Sequence, residues 1–210
     1  IRGLVGSEMC IRDRYLGLVT KKFNDFFLVD LKNQENSGNS QKFLCKVKKS
    51  INFKDQLIYV GDEVAIEKID IKSKRAVITS LKKRKNLLVR PSVANISNIY
   101  VTFSVEEPEL NLSQVNRFLI SAESMGVEVS LVLTKCDLIS DKRRSYLLDK
   151  FEKWGYQVIT LNLQKSDCFK NLLAELKQKE CSIFMGPSGV GKTTLLNMII
   201  PGLQNSTAPV

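Results

Sequence analysis

The chain has 210 residues, of which 43% are apolar, and a formal net charge of +10. This length allows one large or two small domains, each with its own core. No run of about 18 apolar residues is present that could cross a membrane, and no basic segment leads into an apolar one as in a secretory signal. We therefore expect a cytoplasmic protein without a membrane partner.

The cysteine count and the absence of histidine exclude several kinds of chemistry. The chain has 5 cysteines and 0 histidines. No two cysteines form a C-x-x-C pair, which argues against a disulfide framework and against a zinc site within these residues. Without histidine, neither a Ser-His-Asp triad nor a Cys-His pair can form. Chemistry must therefore use backbone amides, lysine, hydroxyls, carboxylates or a bound ion, and we expect the cysteines to be buried thiols.

The positive charge is concentrated in the first part of the chain. Residues 1–90 contain 20 Lys or Arg and 10 Asp or Glu, whereas residues 91–210 contain 12 of each. A basic half joined to a neutral half indicates one part that meets a polyanion such as nucleic acid and another that handles a ligand. The alternative is that a lysine-rich β surface only keeps the protein soluble.

Residues 15–83 have the pattern of a small all-β barrel. Short runs rich in Val, Ile and Phe are separated by turn-forming residues; the runs are YLGLVTKKF, FFLVDLK, KFLCKVKK, DEVAIEKID and RAVITSL. Five such strands fit an oligonucleotide-binding (OB) fold, whose outer face is free to bind. The lysines could contact phosphates, and nearby phenylalanines could either stack on bases or belong to the core. These are Phe23, Phe26, Phe27 and Phe43.

Two further segments are assigned around the barrel. Residues 1–14 show no clear period, and we treat them as a fragment end or as non-native sequence. Residues 84–95 are predicted to be a linker to the second domain.

From residue 96 onward, strands alternate with helices. After the strand ISNIYVTFS, apolar residues recur with helical spacing at Val115, Phe118, Leu119 and Ala122, and Gly126 ends the helix. The strands VEVSLVL, YQVITLNL and CSIFM follow, with helices between them. This alternation predicts an α/β domain over residues 96–210 with a mostly parallel sheet, whose ligands bind beyond the carboxyl ends of the strands.

The segment GPSGVGKT fits the phosphate-loop pattern G-x-x-x-x-G-K-[ST] and lies between a strand and a helix. Successive N–H groups of such a loop face one anion, and the following helix adds the positive end of its dipole. Lys192 is expected to bridge the β- and γ-phosphates, and the Thr193 hydroxyl to ligate Mg²⁺. The predicted phosphate-binding residues are Gly186, Pro187, Ser188, Gly189, Val190, Gly191, Lys192, Thr193 and Thr194.

The segment TKCDL, residues 134–138, follows the strand VEVSLVL and fits a guanine-reading T/N-K-x-D motif. The Asp137 carboxylate would accept hydrogen bonds from N1–H and the exocyclic amine of guanine, which adenine lacks, and the Lys135 stem would lie over the base. Alternatively, Asp137 is a plain carboxylate at a helix start. A base reader that precedes the phosphate loop reverses the ordinary GTPase order, as a circular permutation of the same sheet would.

With these motifs, the chain resembles the circularly permuted GTPases that act in maturation of the small ribosomal subunit, the ribosome small subunit-dependent GTPase family. The resemblance covers roughly residues 15–210, corresponding to the N-terminal two-thirds of a family member. Residues 84–96 are highly characteristic of the family. The segments that carry the resemblance are GLV with FFLVDL, VGDEVAIE, KRKNLLVRPSVANI, TKCDL and GPSGVGKTTLLN.

The resemblance implies an OB barrel that precedes a circularly permuted P-loop GTPase domain. It also implies GTP or GDP and Mg²⁺ as cofactors, and 16S rRNA of the small (30S) ribosomal subunit as the partner of a monomeric protein in late subunit maturation. The catalytic and switch residues and a Zn²⁺-binding region would lie beyond Val210. We therefore expect this chain to be truncated, and to bind GTP without turning it over.

Two segments depart from the family pattern, at Thr134 and at residues 162–163. Thr134 stands where many GTPases have asparagine, so we expect the loss of an amide that steadies the phosphate loop. The third guanine-contacting segment, commonly Ser-Ala, would fall at Asn162 and Leu163, where a backbone N–H could still make the contact. The residues that the resemblance assigns to guanine are Thr134, Lys135, Cys136, Asp137, Asn162 and Leu163.

Two other functions fit part of the sequence. An ATP-binding cassette, another P-loop ATPase or a nucleotide kinase would explain GPSGVGKTTLLN, but neither the basic barrel nor TKCD. The second is an RNA-binding module with a vestigial nucleotide site. The intact Gly186, Lys192 and Thr193 argue against it.

Overall fold

The computed structural model describes residues 14–31, 41–48, 57–162 and 169–200. The chain divides into two compact units, residues 1–95 and residues 96–210. Within the described residues, no helix is long and apolar enough to cross a bilayer.

The first unit is built on a closed β-barrel. Its strands join in the order β1-β2-β3-β5-β4, with β3 and β5 parallel and the other neighbours antiparallel. This is the five-stranded barrel predicted from the sequence, and the prediction is confirmed. The strands are β1 (Tyr15–Phe23), β2 (Phe26–Leu31), β3 (Lys42–Val47), β4 (Glu63–Asp70) and β5 (Arg75–Leu81).

The interior of the barrel decides between the two roles left open for the phenylalanines. Alternate residues of each strand point inward because a strand places successive side chains on opposite faces. Phe27 and Phe43 are 6% and 0% exposed and belong to the core, so they are not stacking surfaces. Phe26 is half-buried and Phe23 is 50% exposed, so only these two are accessible from outside.

The segment after the barrel forms a short hairpin of β6 (Leu87–Leu88) and β7 (Val93–Ala94). The Ala94 N–H donates to the carbonyl oxygen of Val60 at 2.8 Å. The Asn95 side chain donates to the carbonyl oxygen of Gly61 at 2.8 Å and accepts from the Lys85 N–H at 2.8 Å. These bonds attach the hairpin to the chain that leads into β4.

The second unit is a parallel sheet of four strands in the order β10-β9-β8-β11. Strands and helices alternate as predicted, which confirms the α/β class. The elements are β8 (Asn98–Ser104), α1 (Leu112–Glu123), β9 (Glu128–Thr134), α2 (Asp141–Lys153), β10 (Gln157–Thr160), α3 (Lys170–Gln178), β11 (Ser182–Met185) and α4 (Lys192–Ile199).

Helices cover both faces of this sheet. On one face, Phe118 of α1 packs edge-on against Phe103 of β8, with ring centroids 5.5 Å apart. On the other face, the Tyr100 hydroxyl donates to Glu175 Oε1 of α3 at 2.8 Å. Leu195 of α4 also belongs to the core on that face. Its buried members are Tyr100, Val132, Leu161, Phe169, Leu172 and Leu195.

The three cysteines within the described residues agree in part with the expected buried thiols. Cys45 and Cys136 are buried, Cys181 is half-buried, and each of the three is a thiol that takes part in no disulfide. Burial raises the pKa of the Cys45 thiol to about 12. The predictions for Cys10 and Cys168 lie outside the described residues.

Candidate nucleotide-binding site

The order of the strands places a ligand site beside β8. The chain passes from β8 to β9 and β10 in one direction, and β11 then pairs on the other side of β8. In open α/β sheets, ligands bind beyond the carboxyl ends of the strands at such a reversal. The segment 134–138 follows β9, and the segment 186–194 follows β11. Because all strands are parallel, both segments lie at the same edge of the sheet.

Glycine is required at both ends of the phosphate loop. Gly186 has φ 155°, and a Cβ atom there would lie 2.0 Å from the carbonyl oxygen of Thr102. Only glycine therefore lets the chain leave β11 so close to β8. Gly191 has φ 90° and is the N-cap of α4, so the loop turns into the helix through a left-handed residue.

Lys192 points back into the loop that it follows. Its Nζ donates to the carbonyl oxygens of Gly186 at 2.9 Å and Pro187 at 2.5 Å. Burial lowers the pKa of this ammonium from its ordinary value, because desolvation disfavours the charged form. The Lys192 charge is thus held inside the loop, where an anion would neutralise it.

The first turn of α4 separates a buried side from an exposed one. Val190 and Leu195 are 1% and 0% exposed and anchor the loop to the core. Thr193 and Thr194 are exposed beside it. An ammonium, backbone N–H groups at a helix start and a hydroxyl form the donor set that suits a phosphate with a hard cation such as Mg²⁺.

Thr134 links the two sequence motifs directly. Its side chain is fully buried, and its hydroxyl donates to the carbonyl oxygen of Val190 in the phosphate loop at 2.7 Å. The amide of the family pattern is absent here, and the Thr134 hydroxyl contacts the phosphate loop in its place. The shorter hydroxyl reaches the loop because β9 ends close to it.

The rest of the segment predicted to read the base turns sharply after β9. Lys135 adopts a left-handed conformation with φ 57°, and Cys136–Leu138 form a single 3₁₀ turn that leaves Asp137 exposed. The Cys136 N–H donates to the carbonyl oxygen of Leu161 at 3.4 Å, which ties this turn to the loop after β10.

Asp137 and Asn162 share a cavity. Its volume is about 370 Å³, and Cys136, Thr160 and Leu161 also contribute to its wall. Two segments predicted to contact guanine, residues 134–137 and residues 162–163, are thus brought together at Asp137 and Asn162. Leu163, the last predicted residue of that set, lies outside the described residues.

A further segment of the site was missed by the sequence reasoning. Residues 105–109 follow β8, between the two motif-bearing strands. The Lys135 ammonium donates to the carbonyl oxygen of Glu107, and Arg143 of α2 forms ion pairs with Glu106 at 2.5 Å and Glu109 at 3.6 Å. No motif marks these residues, but their place after a strand beside β11 would have pointed to them once the strand order was known.

The fold and site define a P-loop nucleotide-binding protein of the circularly permuted class. The segment predicted to read the base comes first in the chain, and the predicted phosphate loop follows it on the same sheet edge. Residues 81–210 match the family model described as RsgA GTPase. The chain belongs to the RsgA GTPase family. This assignment decides against the ATP-binding cassette and nucleotide kinase alternatives.

Individual relatives agree with the family assignment. The small ribosomal subunit biogenesis GTPase RsgA of Prochlorococcus marinus (strain NATL2A) is 34% identical over 201 residues, which cover 92% of this chain and 64% of that protein. The protein of the same name from Synechococcus sp. (strain CC9605) is 38% identical over 173 residues, covering 82% of this chain and 57% of that protein. The chain thus spans less than two thirds of these relatives.

Two solved structures have the same fold. The crystal structure of YjeQ from Thermotoga maritima superposes with a TM-score of 0.79 at 30% identity, covering 90% of this chain and 66% of that one. YloQ, described as a circularly permuted GTPase, gives a TM-score of 0.75 at 25% identity, with 91% and 66% coverage. The predicted combination of barrel and permuted domain is confirmed by this likeness.

Proposed function

We propose that this chain is the barrel and nucleotide-binding part of a cytoplasmic factor that binds and hydrolyses GTP, binds 16S rRNA, and acts as a monomer in late maturation of the small (30S) ribosomal subunit. Membership of the RsgA GTPase family supports the general activity. The single observation that carries the nucleotide site is the hydrogen bond from Thr134 to the Val190 carbonyl, because it joins the base-reading segment to the phosphate loop.

The phosphate loop, residues 186–194, would hold the phosphates of GTP or GDP. Phosphate oxygens would replace the loop carbonyls as acceptors for Lys192, whose ammonium is already directed into the loop. The exposed Thr193 hydroxyl would ligate Mg²⁺, which neutralises the charge of the β- and γ-phosphates. The loop would therefore bind a nucleotide with its metal ion as one unit.

The guanine base would lie against residues 134–137 and the loop after β10. The exposed Asp137 carboxylate is free of burial constraints and can accept two hydrogen bonds from guanine. Asn162 lines the same cavity and would approach the base from the other side, with Leu163 as its neighbour in sequence. Selection of guanine over adenine would follow from the acceptor-only character of a carboxylate.

The barrel would provide the contact with rRNA. A cleft of about 490 Å³ on its surface is lined by Phe26, Lys46, Lys68 and Arg75, among others. The Lys46 ammonium lies 4.6 Å from the centroid of the Phe26 ring. An aromatic face beside cationic groups suits a base with its flanking phosphates.

GTP hydrolysis is proposed for the whole protein, whose relatives are longer than this chain. GTP held by the two motifs would order loops that sense the γ-phosphate and raise affinity for the immature subunit. Hydrolysis stimulated by rRNA would then release the factor. No residue of this chain is assigned a catalytic role, and residues 1–210 would bind GTP without turnover. Zn²⁺ would be held only by a part of the whole protein outside residues 1–210.

The substitution Asp137→Asn tests the base reader. An amide presents a donor as well as an acceptor, so it suits xanthine, which has a carbonyl where guanine has its amine. We expect GDP binding to weaken at least tenfold and XDP binding to strengthen, as measured by competition with a fluorescent nucleotide.

Asp149→Asn is the matched control, since it removes one exposed carboxylate from α2 at a residue that does not line the cavity of Asp137 and Asn162. It should leave both affinities unchanged. An Asp137→Asn variant that keeps the wild-type preference for guanine would show that TKCD does not read the base.

A further inference from the structure

Helix α2 has a stripe of alternating lysine and aromatic side chains. Lys142, Tyr146, Lys150 and Trp154 follow one another at intervals of four residues, and we call them the lysine–aromatic stripe. Residues four apart lie on the same side of a helix. Trp154 caps α2 with helical φ and ψ of −78° and −6°, so it continues the stripe. At 1.5 Å per residue, the stripe is about 18 Å long.

The rings of the stripe are exposed but ordered by contacts within it. Tyr146 is 59% exposed and Trp154 is 39% exposed. The Lys150 ammonium lies 5.6 Å from the centroid of the Tyr146 ring and 5.8 Å from that of Trp154, so it bridges the two. Trp154 also packs edge-on against the buried Phe151, with centroids 5.2 Å apart. A partner would therefore meet rings that are already positioned.

The acidic residues of α2 do not cancel the charge of the stripe. Asp141 pairs with Arg144 at 2.6 Å, and Asp149 pairs with Lys153 at 2.7 Å. Glu152 is two residues from Lys150 and from Trp154, and residues two apart do not face each other on a helix. Among the described residues, neither Lys142 nor Lys150 forms an ion pair, and the Lys150 ammonium donates a long hydrogen bond of 3.4 Å to the Tyr146 hydroxyl. Both charges therefore lack a counter-ion and are available to an external anion.

We infer that the lysine–aromatic stripe is a second RNA-binding surface, on the nucleotide-binding unit, for an unpaired stretch of RNA. The lysines would contact phosphates, and the exposed rings would stack on bases. Such stacking does not depend on which base is present. Tyrosine and tryptophan would also suit a protein interface, but lysine is depleted there, and an RNA uses both the cations and the rings of the stripe. The inference rests on the proposed function only in taking RNA as the partner. It uses no residue of the barrel and does not depend on bound GTP.

The chain carries a built-in reporter for this surface, since Trp154 is its single tryptophan. We would titrate the 210-residue chain with an unlabelled oligouridine of about 12 nucleotides, within the site sizes typical of single-strand binders. Stacking of uracil on the indole should give a saturable quench of tryptophan fluorescence. In parallel, fluorescence anisotropy of the labelled oligonucleotide measures binding to any part of the chain.

Variants separate charge from stacking. Replacing both lysines, Lys142→Gln with Lys150→Gln, should shift the quench to higher RNA concentration and reduce the salt dependence of log Kd by about 1.4, or about 0.7 per lost phosphate contact. Tyr146→Leu should raise the Kd of the quench about tenfold. The control is Arg117→Gln, which removes an exposed positive charge from α1 and should leave the quench unchanged.

Other results would overturn the inference. If anisotropy rises while tryptophan fluorescence stays constant, RNA binds elsewhere, and the barrel proposal survives without the stripe. If neither signal changes, neither the lysine–aromatic stripe nor the barrel binds single-stranded RNA. If the double lysine variant and Arg117→Gln behave alike, the stripe is not a cationic site. A fluorescence change with intact small subunits, but not with oligouridine or 16S rRNA, would assign α2 to a protein partner instead.

Discussion

At the scale of single residues, Thr134 shows how one hydroxyl can replace a longer amide. The fully buried side chain donates to the Val190 carbonyl at 2.7 Å, and the next closest acceptor is the Phe103 carbonyl at 3.3 Å. A buried carbonyl that loses its donor costs more than an average hydrogen bond contributes, because it is also cut off from water. Thr134 thus stabilises both β9 and the conformation of the phosphate loop.

The substitution Thr134→Val should destabilise the fold by about 1–3 kcal/mol, because it keeps the shape of the side chain and removes the donor. Urea unfolding followed by tryptophan fluorescence measures this change, since Trp154 reports on the same unit. Binding of a fluorescent GDP analogue should weaken in parallel, because the loop is held less firmly.

Thr134→Ser keeps the hydroxyl and should retain most of both properties. If valine and serine at this position gave equal affinities and equal stabilities, the hydrogen bond to Val190 would have no role in the site.

At the scale of secondary-structure elements, the segment predicted as a linker has defined contacts with the chain before β4. Besides the hairpin bonds, the Arg84 guanidinium binds the Asp62 carboxylate through two bonds of 2.7 and 2.8 Å. The Asp62 side chain is 0% exposed and that of Arg84 is 18% exposed. Its hydrogen bond with Asp62 raises the pKa of Arg84, so the guanidinium keeps its positive charge. The end of the first unit is thus fixed by a largely buried ion pair.

The substitution Arg84→Met should therefore reduce the free energy of unfolding by about 3–5 kcal/mol, because it leaves the buried Asp62 charge without its partner. Far-UV circular dichroism during urea unfolding measures this loss, since the barrel contains no tryptophan.

The neighbouring pair of Lys82 and Glu63 provides the control. Its atoms are 2.9 Å apart, but the lysine side chain is 52% exposed. Lys82→Met should therefore cost less than about 1 kcal/mol. If Arg84→Met reduced the free energy of unfolding no more than Lys82→Met does, burial of the Arg84–Asp62 pair would make no difference to stability.

At the scale of the whole molecule, charge and chemistry are divided between the two units. The excess positive charge lies in residues 1–90, which include the barrel, and both nucleotide motifs lie in residues 96–210. Counterion release makes RNA affinity fall with salt in proportion to the number of phosphates neutralised. The two units should therefore respond differently to ionic strength.

RNA binding by the chain should weaken steeply as the salt concentration increases. The double variant Lys46→Gln with Arg75→Gln removes two cations of the barrel cleft. It should reduce the slope of log Kd against log salt by about 1.4. Anisotropy of a labelled oligoribonucleotide at several KCl concentrations measures this slope.

The control removes two exposed positive charges from the second unit, Arg117→Gln with Lys177→Gln, and so has the same net charge. It should keep the wild-type slope. RNA binding in the barrel cleft would be contradicted if the Kd of the wild type did not change with salt. It would also be contradicted if both double variants had the same slope of log Kd against log salt.

Much of the fold and of the site could be predicted from local sequence. The strands of the barrel and the alternation of strands and helices after residue 96 follow from hydrophobic period and turn residues, which act over a few neighbours. The glycines and Lys192 of the phosphate loop are equally local, because the loop wraps one anion with consecutive residues. The Ser140 cap of α2 is local too, since its side chain accepts from the Arg143 N–H three residues later.

The tertiary structure alone decided what depends on residues distant in the chain. Strand order placed residues 105–109 beside the phosphate loop and brought Thr134 to Val190, 56 residues further along. The barrel closure put Phe27 and Phe43 inside and left Phe26 half-buried, because the alternation along a strand does not say which of its two faces becomes the interior. The sequence alone determined which segments carry the patterns of a phosphate loop and a base reader and which segments form strands. Which of them meet depends on sheet pairing and packing between distant segments, and no local pattern encodes that.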